Sequence, residues 1–166
     1  MCSTEIAELA RRADEFAQLD TRLLGLSIDS IHSHMAWREN LRWILGISVP
    51  FPLIANIDME VAKLFGMLHE QASATATVRA VFLIDPKHVV RALVDYPLDV
   101  GRNVDELLRL LVALQTADRN AVACSVNWKP GDKVIVPPPK SESELAERDG
   151  HTDYEKLDFY LRKRSL

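Results

Sequence analysis

The spacing of apolar residues predicts that helices and strands alternate over most of the chain. From Glu5 to Leu19 the apolar positions recur every three or four residues, which predicts an amphipathic helix. Residues 22–28 are short and apolar, so we expect a buried strand there. Ser30 is a suitable N-cap for a second helix. The apolar positions of that helix are Met35, Leu41 and Ile44.

The middle of the chain predicts further short elements and a hairpin. Residues 52–56 form a candidate strand, and a brief helix is expected between Asp58 and Gly66. Two strand-like runs follow at 78–85 and 88–96. A proline-containing turn joins them, so an antiparallel hairpin is expected.

The pattern changes in the last third of the chain. Residues 103–117 give the clearest amphipathic helix. The segment 128–144 is rich in proline and irregular, whereas 151–166 resumes a helical period. We therefore expect a compact α/β body at 1–126 and a C-terminal arm at 127–166.

The order of the elements predicts an α/β fold, in which helices cover both faces of a mixed sheet. A layered domain of this class usually has a strand before its first helix. Here the first predicted helix starts near Glu5, so we expect the first strands of the sheet to be absent.

Composition and charge narrow the classes of function. Apolar residues make up 48% of the 166 positions and charged residues 27%, as in ordinary soluble domains. The formal net charge of −4 argues against a nucleic-acid partner. No apolar run approaches the ~20 residues that span a bilayer, and the N-terminus has no signal-peptide pattern. We therefore expect a cytoplasmic protein with no membrane partner.

The candidate chemistry lies at Cys2. A thiol in the first turn of a helix faces unpaired N–H groups, which favour the thiolate. Arg79 is a charge inside an apolar strand and needs a partner, and Arg102 precedes the long helix. The alternative for Cys2 is that of most free cysteines, a small packing residue. Cys2 and Cys124 are far apart in the sequence and form no metal-binding or disulfide pattern.

Several segments resemble the peroxiredoxin family. MCSTE followed by a helix is similar to the segment P-V-C-T-T-E around the peroxidatic cysteine, and RLLGLSIDSIHSHMAW is similar to L-I-A-L-S-I-D-S-V-x-x-H-x-x-W. The likeness continues through LFGML, TVRAVFLIDP, YPLDVGRNVDELLRLLVALQTAD and NWKPGDKVIVPPP, from Cys2 to about Pro139. The one-cysteine-type, archaeal-like branch with its long C-terminal arm is the most similar.

The resemblance implies a thioredoxin-like fold and a thiol-dependent peroxidase for hydrogen peroxide and alkyl hydroperoxides. By this match Cys2 would become a sulfenic acid and Arg79 would bind peroxide. Glu5 and Arg102 match a polar network beside them. For all three charged residues the alternative is an ordinary ion pair. No metal and no organic cofactor is implied.

The chain also departs from the family pattern. The site motif P-x-x-x-T-x-x-C has no counterpart for its proline and threonine, because only one residue precedes Cys2. The segment A-C-S-V-N-W-K-P-G around Cys124 resembles V-C-P-A-G-W-K-P-G, the resolving-cysteine segment of the two-cysteine branch. Cys124 is therefore a candidate resolving cysteine, acting on a partner subunit. The alternative is a packed thiol.

The resemblance also implies partners. These are a peroxide, a thioredoxin-like or other thiol reductant, and a second copy pairing through the edge strand 88–96, within a homodimer or larger ring. One rival is a catalytically weak chain acting as a binding or holdase-like protein. A dithiol oxidoreductase is disfavoured because C-x-x-C is absent. The remaining candidates are expected to be structural. His32 and His34 are expected to be packing and surface residues, Trp37, Trp43 and Trp128 packing anchors, and Arg162–Arg164 a solvated helix end.

Overall fold

The structure is a computed structural model, and it describes residues 2–68 and 79–166. By its internal contacts the chain divides into two units, Met1–Val104 and Asp105–Leu166. This division comes earlier than the boundary expected near residue 127, and the division into body and arm stays a prediction. Within the described residues, no helix is both long and apolar enough to cross a membrane.

The first unit contains most of the predicted elements. The predicted helix 5–19 is two helices, because the chain leaves the helical path at Arg12. The predicted strands and the brief helix after Asp58 are confirmed with shorter bounds. In chain order the elements are α1 (Cys2–Arg11), α2 (Ala13–Gln18), β1 (Gly25–Ser27), α3 (Ile31–Leu45), β2 (Leu53–Ala55), α4 (Glu60–Leu64), β3 (Arg79–Ile84) and β4 (Val90–Tyr96).

The strands of the first unit form two small sheets rather than one mixed sheet. β1 pairs in parallel with β2, and a Cβ on Gly25 would lie 2.5 Å from the end of the Leu53 side chain, so a larger residue there would displace that side chain. β3 pairs with β4 in antiparallel register, from Arg79 opposite Tyr96 onward. The predicted hairpin is therefore confirmed, except that residue 78, its expected start, lies outside the described residues.

Helix α3 is capped at both ends and contributes to the apolar core of the first unit. Its N-cap is Ser30, as predicted, and its side chain accepts a hydrogen bond from the Ser33 N–H. The helix ends at Gly46, whose φ of 65° suits glycine. The helix contributes to an apolar cluster that we call the α3 cluster. Its buried members are Leu41, Val49 and Phe51, and Ile6, Leu9, Ala10, Leu23, Trp37 and Leu53 pack against them.

The apolar face predicted for α3 is only partly right. Leu41 is buried, but Met35 and Ile44 are 61% and 66% exposed. Trp43, expected to pack, is 87% exposed, so that expectation is wrong. Only a narrow stripe of α3 meets the rest of its unit, and apolar residues to either side of it stay in water.

The second unit contains the rest of the helix α5 (Val104–Asn120), which begins at the last residue of the first unit. The other elements are β5 (Val134–Val136), α6 (Glu142–Asp149), β6 (Glu155–Lys156) and β7 (Arg162–Arg164). β7 lies between β5 and β6, antiparallel to both. Its apolar cluster, which we call the Trp128 cluster, consists of Ala113, Val122, Trp128 and Val134, so the packing role of Trp128 is confirmed.

The prediction of a helix at 151–166 is wrong. This segment is a short hairpin, and Arg162–Arg164 is a strand rather than a solvated helix end. The Arg162 side chain is 2% exposed and forms an ion pair of 2.6 Å with Asp149. Pairing with β5 decides the conformation here, and a local helical period gives no indication of that long-range partner.

We predict that Leu41→Ala lowers the free energy of unfolding by about 2–5 kcal/mol, because it opens a cavity in the α3 cluster. Ile44→Ala, on the same helix but largely exposed, should change it by less than about 0.5 kcal/mol. Urea unfolding of both variants is the measurement. Equal losses would show that the burial of Leu41 does not stabilise this unit.

Candidate active site

The N-terminal turn of α1 places a thiol and a carboxylate on the same side of the helix. Cys2 is the first residue of α1, and Glu5 follows three positions later. The Cys2 residue is exposed, whereas Glu5 is only 6% exposed. The helix therefore presents a reachable thiol beside a buried negative charge, and that charge requires partners.

Two arginines from distant parts of the chain neutralise Glu5. Arg79 Nη1 donates to Glu5 Oε2 at 2.6 Å, and Arg102 Nη1 donates to the same oxygen at 3.0 Å. The backbone N–H of Arg102 donates to the other oxygen, Oε1, at 2.9 Å. The carboxylate thus joins α1, the start of β3 and the residue two positions before α5. Two guanidinium groups and one carboxylate leave one net positive charge at the site.

Arg79 places a positive charge next to the Cys2 thiol. Its Nη1 lies 3.5 Å from Cys2 Sγ, and its Nε donates to the carbonyl oxygen of Leu98 at 2.8 Å. Desolvation acts to lower the pKa of Arg79. The hydrogen bonds and charges of Cys2 and Glu5 outweigh it and raise that pKa. The guanidinium group stays charged, and its contacts with Cys2, Glu5 and Leu98 fix its orientation.

Arg102 lies in the loop between β4 and α5. Its Nη2 donates to the carbonyl oxygen of Ala80 at 3.3 Å, next to Arg79 in β3. One residue later, the backbone N–H of Asn103 lies 3.4 Å from the Tyr96 hydroxyl oxygen. These bonds hold the loop against the hairpin, so the second arginine supports the position of the first. The structure therefore brings together Cys2, Glu5, Arg79 and Arg102, four of the five residues singled out from the sequence.

Two contacts at the site were not predicted. One is the Leu98 carbonyl, which any residue type could supply, so a sequence gives no signal for it. The other is a hydrogen bond of 3.2 Å from Trp37 Nε1 to Ser3 Oγ, which joins α3 to the residue after Cys2. Trp37 was expected only to pack, because nothing in its spacing relates it to Ser3.

Comparisons with known proteins identify the family of this chain. Residues 1–93 match the model of the AhpC/TSA family, and residues 113–149 match the C-terminal domain of 1-Cys peroxiredoxin. The chain is 44% identical to the peroxiredoxin of Aquifex aeolicus, over all of this chain and 79% of that protein. The chain belongs to the peroxiredoxin family. It is therefore a thiol-dependent peroxidase, an oxidoreductase.

Solved peroxiredoxin structures show the same thioredoxin-like fold. A yeast mitochondrial 1-Cys peroxiredoxin superimposes with a TM-score of 0.85 at 33% identity, covering 99% of this chain and 80% of the other. A cysteine-to-serine mutant of the peroxiredoxin 6 of Arenicola marina gives 0.87 at 29% identity, covering 99% and 79%. The fold class predicted from the sequence is thus confirmed.

In this peroxiredoxin Cys124 lies in a different environment from Cys2. It is partly buried and packs against the Trp128 cluster, with Sγ 3.5 Å from the carbonyl oxygen of Ala113. Burial raises the pKa of the Cys124 thiol, and the nearby charge of Arg109 opposes that shift without cancelling it. Burial therefore favours the protonated form of the thiol. The resolving role of Cys124 stays a prediction.

Of the two histidines at the start of α3, one is packed and the other is exposed, as expected. His34 is 6% exposed, and its Nε2 lies 2.6 Å from Ser27 Oγ, whose hydroxyl also bonds Asp29. His32 is on the surface. In the part of the chain that the structure describes, no three His, Cys, Asp or Glu side chains are grouped as a metal site requires.

We predict that Glu5→Gln lowers the free energy of unfolding by about 3–5 kcal/mol, because it leaves two poorly exposed arginines without their carboxylate. The matched control is Glu8→Gln on the same helix. The Glu8–Arg11 pair is about half exposed, so its loss should cost under about 1 kcal/mol. Urea unfolding compares the two, and similar losses would contradict the assigned role of Glu5.

Proposed function

We propose that Cys2 is the peroxidatic thiol and that Arg79 is its peroxide-binding partner. The observation that supports this assignment is the contact of 3.5 Å between Arg79 Nη1 and Cys2 Sγ, on an arginine whose orientation Glu5 and Leu98 fix. The exposed thiol at a helix N-terminus and the net positive charge of the cluster both favour the thiolate.

The reaction transfers one oxygen and two electrons. The Cys2 thiolate attacks one peroxide oxygen, an S–O bond forms and the O–O bond breaks. The sulfur is oxidised to sulfenic acid, and the leaving oxygen takes a proton to become water or an alcohol. Negative charge moves from sulfur to the leaving oxygen, so a fixed guanidinium beside both atoms stabilises the transition state.

Glu5 and Arg102 act as positioning residues in this proposal. Glu5 accepts from Arg79 and Arg102 through one oxygen and from a backbone N–H through the other, so it fixes both guanidinium groups. The carboxylate of Glu5 balances one of the two positive charges, which reduces the repulsion between Arg79 and Arg102. Arg79 still attracts the Cys2 thiolate.

The sulfenic acid is reduced by thiols. In one route Cys124 of a second subunit attacks Cys2, which forms a disulfide and releases water, and a thioredoxin-like dithiol then reduces the disulfide. Because Cys124 is partly buried and its Sγ contacts the Ala113 carbonyl, it must first leave that contact. In the other route an external thiol reduces Cys2 directly. The similar yeast mitochondrial 1-Cys peroxiredoxin is resolved via glutathione and thioredoxin systems.

We also propose a homodimer, with ring assembly beyond it, in the cytoplasm. β4 pairs with β3 along one edge, and Val90 and Leu93 on it are about half exposed. A second β4 pairing along its other edge would extend the sheet and bring the apolar side chains of the two copies side by side. A thiol that must be reduced after each turnover suits the reducing conditions of the cytoplasm.

We predict that Cys2→Ser abolishes peroxide consumption in the presence of dithiothreitol. Arg79→Met should lower kcat/KM for peroxide by about 10²–10³-fold, as loss of one preorganised donor does. The control, Arg91→Met, alters an arginine that pairs with Asp85 in the hairpin and should leave the rate within about twofold. Turnover by Cys2→Ser would show that the reacting thiol is elsewhere.

The two reduction routes can be separated on a non-reducing gel. If Cys124 resolves, peroxide produces a disulfide-linked dimer in the wild type and none in Cys124→Ser. The rate of dimer formation should continue to rise above the ordinary thiol pKa, because burial raises the pKa of Cys124 and more base is needed to deprotonate it. A dimer that persists in Cys124→Ser would exclude this role and leave direct reduction by an external thiol.

A further inference from the structure

The hydrogen bond between Trp37 and Ser3 has no role in the chemistry described so far. Trp37 Nε1 donates to Ser3 Oγ at 3.2 Å, across 34 positions of sequence. The indole N–H is a donor only, so the serine oxygen must accept. The bond therefore joins the middle of α3 to the turn of α1 that carries Cys2.

The bond is made at the residue next to Cys2, so it can restrain the position of the thiol. The apolar contacts of α1 with the α3 cluster come from Ile6, Leu9 and Ala10, which lie one to two turns beyond Cys2. The first turn of a helix lacks intrahelical partners for its N–H groups and frays most easily. A side-chain bond to Ser3 restrains this turn at the residue next to the thiol.

The thiol contact leaves little tolerance for such fraying. Cys2 Sγ and Arg79 Nη1 lie 3.5 Å apart, which is within hydrogen-bond distance for sulfur. Arg79 is held by the Leu98 carbonyl and by Glu5, three residues after Cys2, so it does not follow a displacement of residues 2 and 3 alone. Fraying that moves Cys2 by about 1 Å would therefore separate the reacting sulfur from its cation, and misplacement on that scale lowers rates strongly.

We propose that Trp37 is a positioning residue for the peroxidatic thiol: through Ser3 it fixes the first turn of α1 and so keeps Cys2 Sγ on Arg79. This inference rests on the proposed function insofar as Cys2 is the reacting thiol. Its direct consequence is a change in the reactivity of Cys2 toward any electrophile, whether or not that electrophile is a peroxide.

The chain offers a matched control. Trp37→Phe keeps an aromatic ring against the α3 cluster and removes the N–H donor. Trp43→Phe makes the same chemical change on the same helix, at a side chain that is 87% exposed. Ser3→Ala removes the acceptor, and Ser3→Thr keeps a hydroxyl in its place.

The experiment measures two rates in the full chain. One is alkylation of Cys2 by iodoacetamide at pH 7, followed by mass spectrometry of the Cys2 peptide. The other is kcat/KM for hydrogen peroxide. Trp37→Phe and Ser3→Ala should each lower both rates by about 3- to 10-fold, the worth of one net hydrogen bond. The double variant should be no slower than either single one, since both remove the same bond. Ser3→Thr and Trp43→Phe should match the wild type.

The proposal is overturned if Trp37→Phe and Trp43→Phe give the same alkylation rate, or if the losses in the double variant multiply. If Trp37→Phe fails to fold, the comparison of Ser3→Ala with Ser3→Thr decides the question. Failure of the proposed function has a different signature. Cys2→Ser would then keep its peroxidase activity, while the alkylation rates would still report whether Trp37 positions the thiol.

Discussion

One buried carboxylate organises the first unit of this chain. Glu5 accepts hydrogen bonds from Arg79, from the Arg102 side chain and from a backbone N–H, and so joins residues that are distant in sequence. A buried charge of this kind is costly unless every neighbour is in place. The same set of bonds that offsets this cost also aims Arg79 at Cys2. Stability of the fold and geometry of the site therefore depend on one interaction.

The residues of the site could be predicted from the sequence more completely than the fold around them. These four residues stand in segments whose resemblance to a family is strong, and Arg79 is conspicuous as a charge in an apolar strand. The Leu98 carbonyl was not predictable, because main-chain acceptors leave no mark on the sequence. The Trp37–Ser3 bond was missed because nothing in the spacing of those residues relates them. Both contacts arise only when distant segments meet.

The C-terminal residues show where periodicity misleads. Residues 151–166 have a helical spacing, yet they form a hairpin because β7 pairs with the apolar strand β5. Arg162 was expected to be a solvated charge and is instead buried against Asp149. Short polar segments have weak local preferences, so long-range pairing decides their structure. In α3 the stripe in contact with the unit is narrower than its apolar spacing suggests, and this leaves Trp43 in water.

The three tryptophans occupy three different surroundings, and this makes each unit separately visible to fluorescence. Trp128 is buried in the second unit, Trp37 is partly buried in the first, and Trp43 already faces solvent. Indole emission shifts to longer wavelength as water reaches the ring, so Trp43 supplies a constant background. The emission of Trp128 reports on the second unit, and that of Trp37 reports on the first. Each unit of the chain therefore contains a tryptophan whose fluorescence can report on its unfolding.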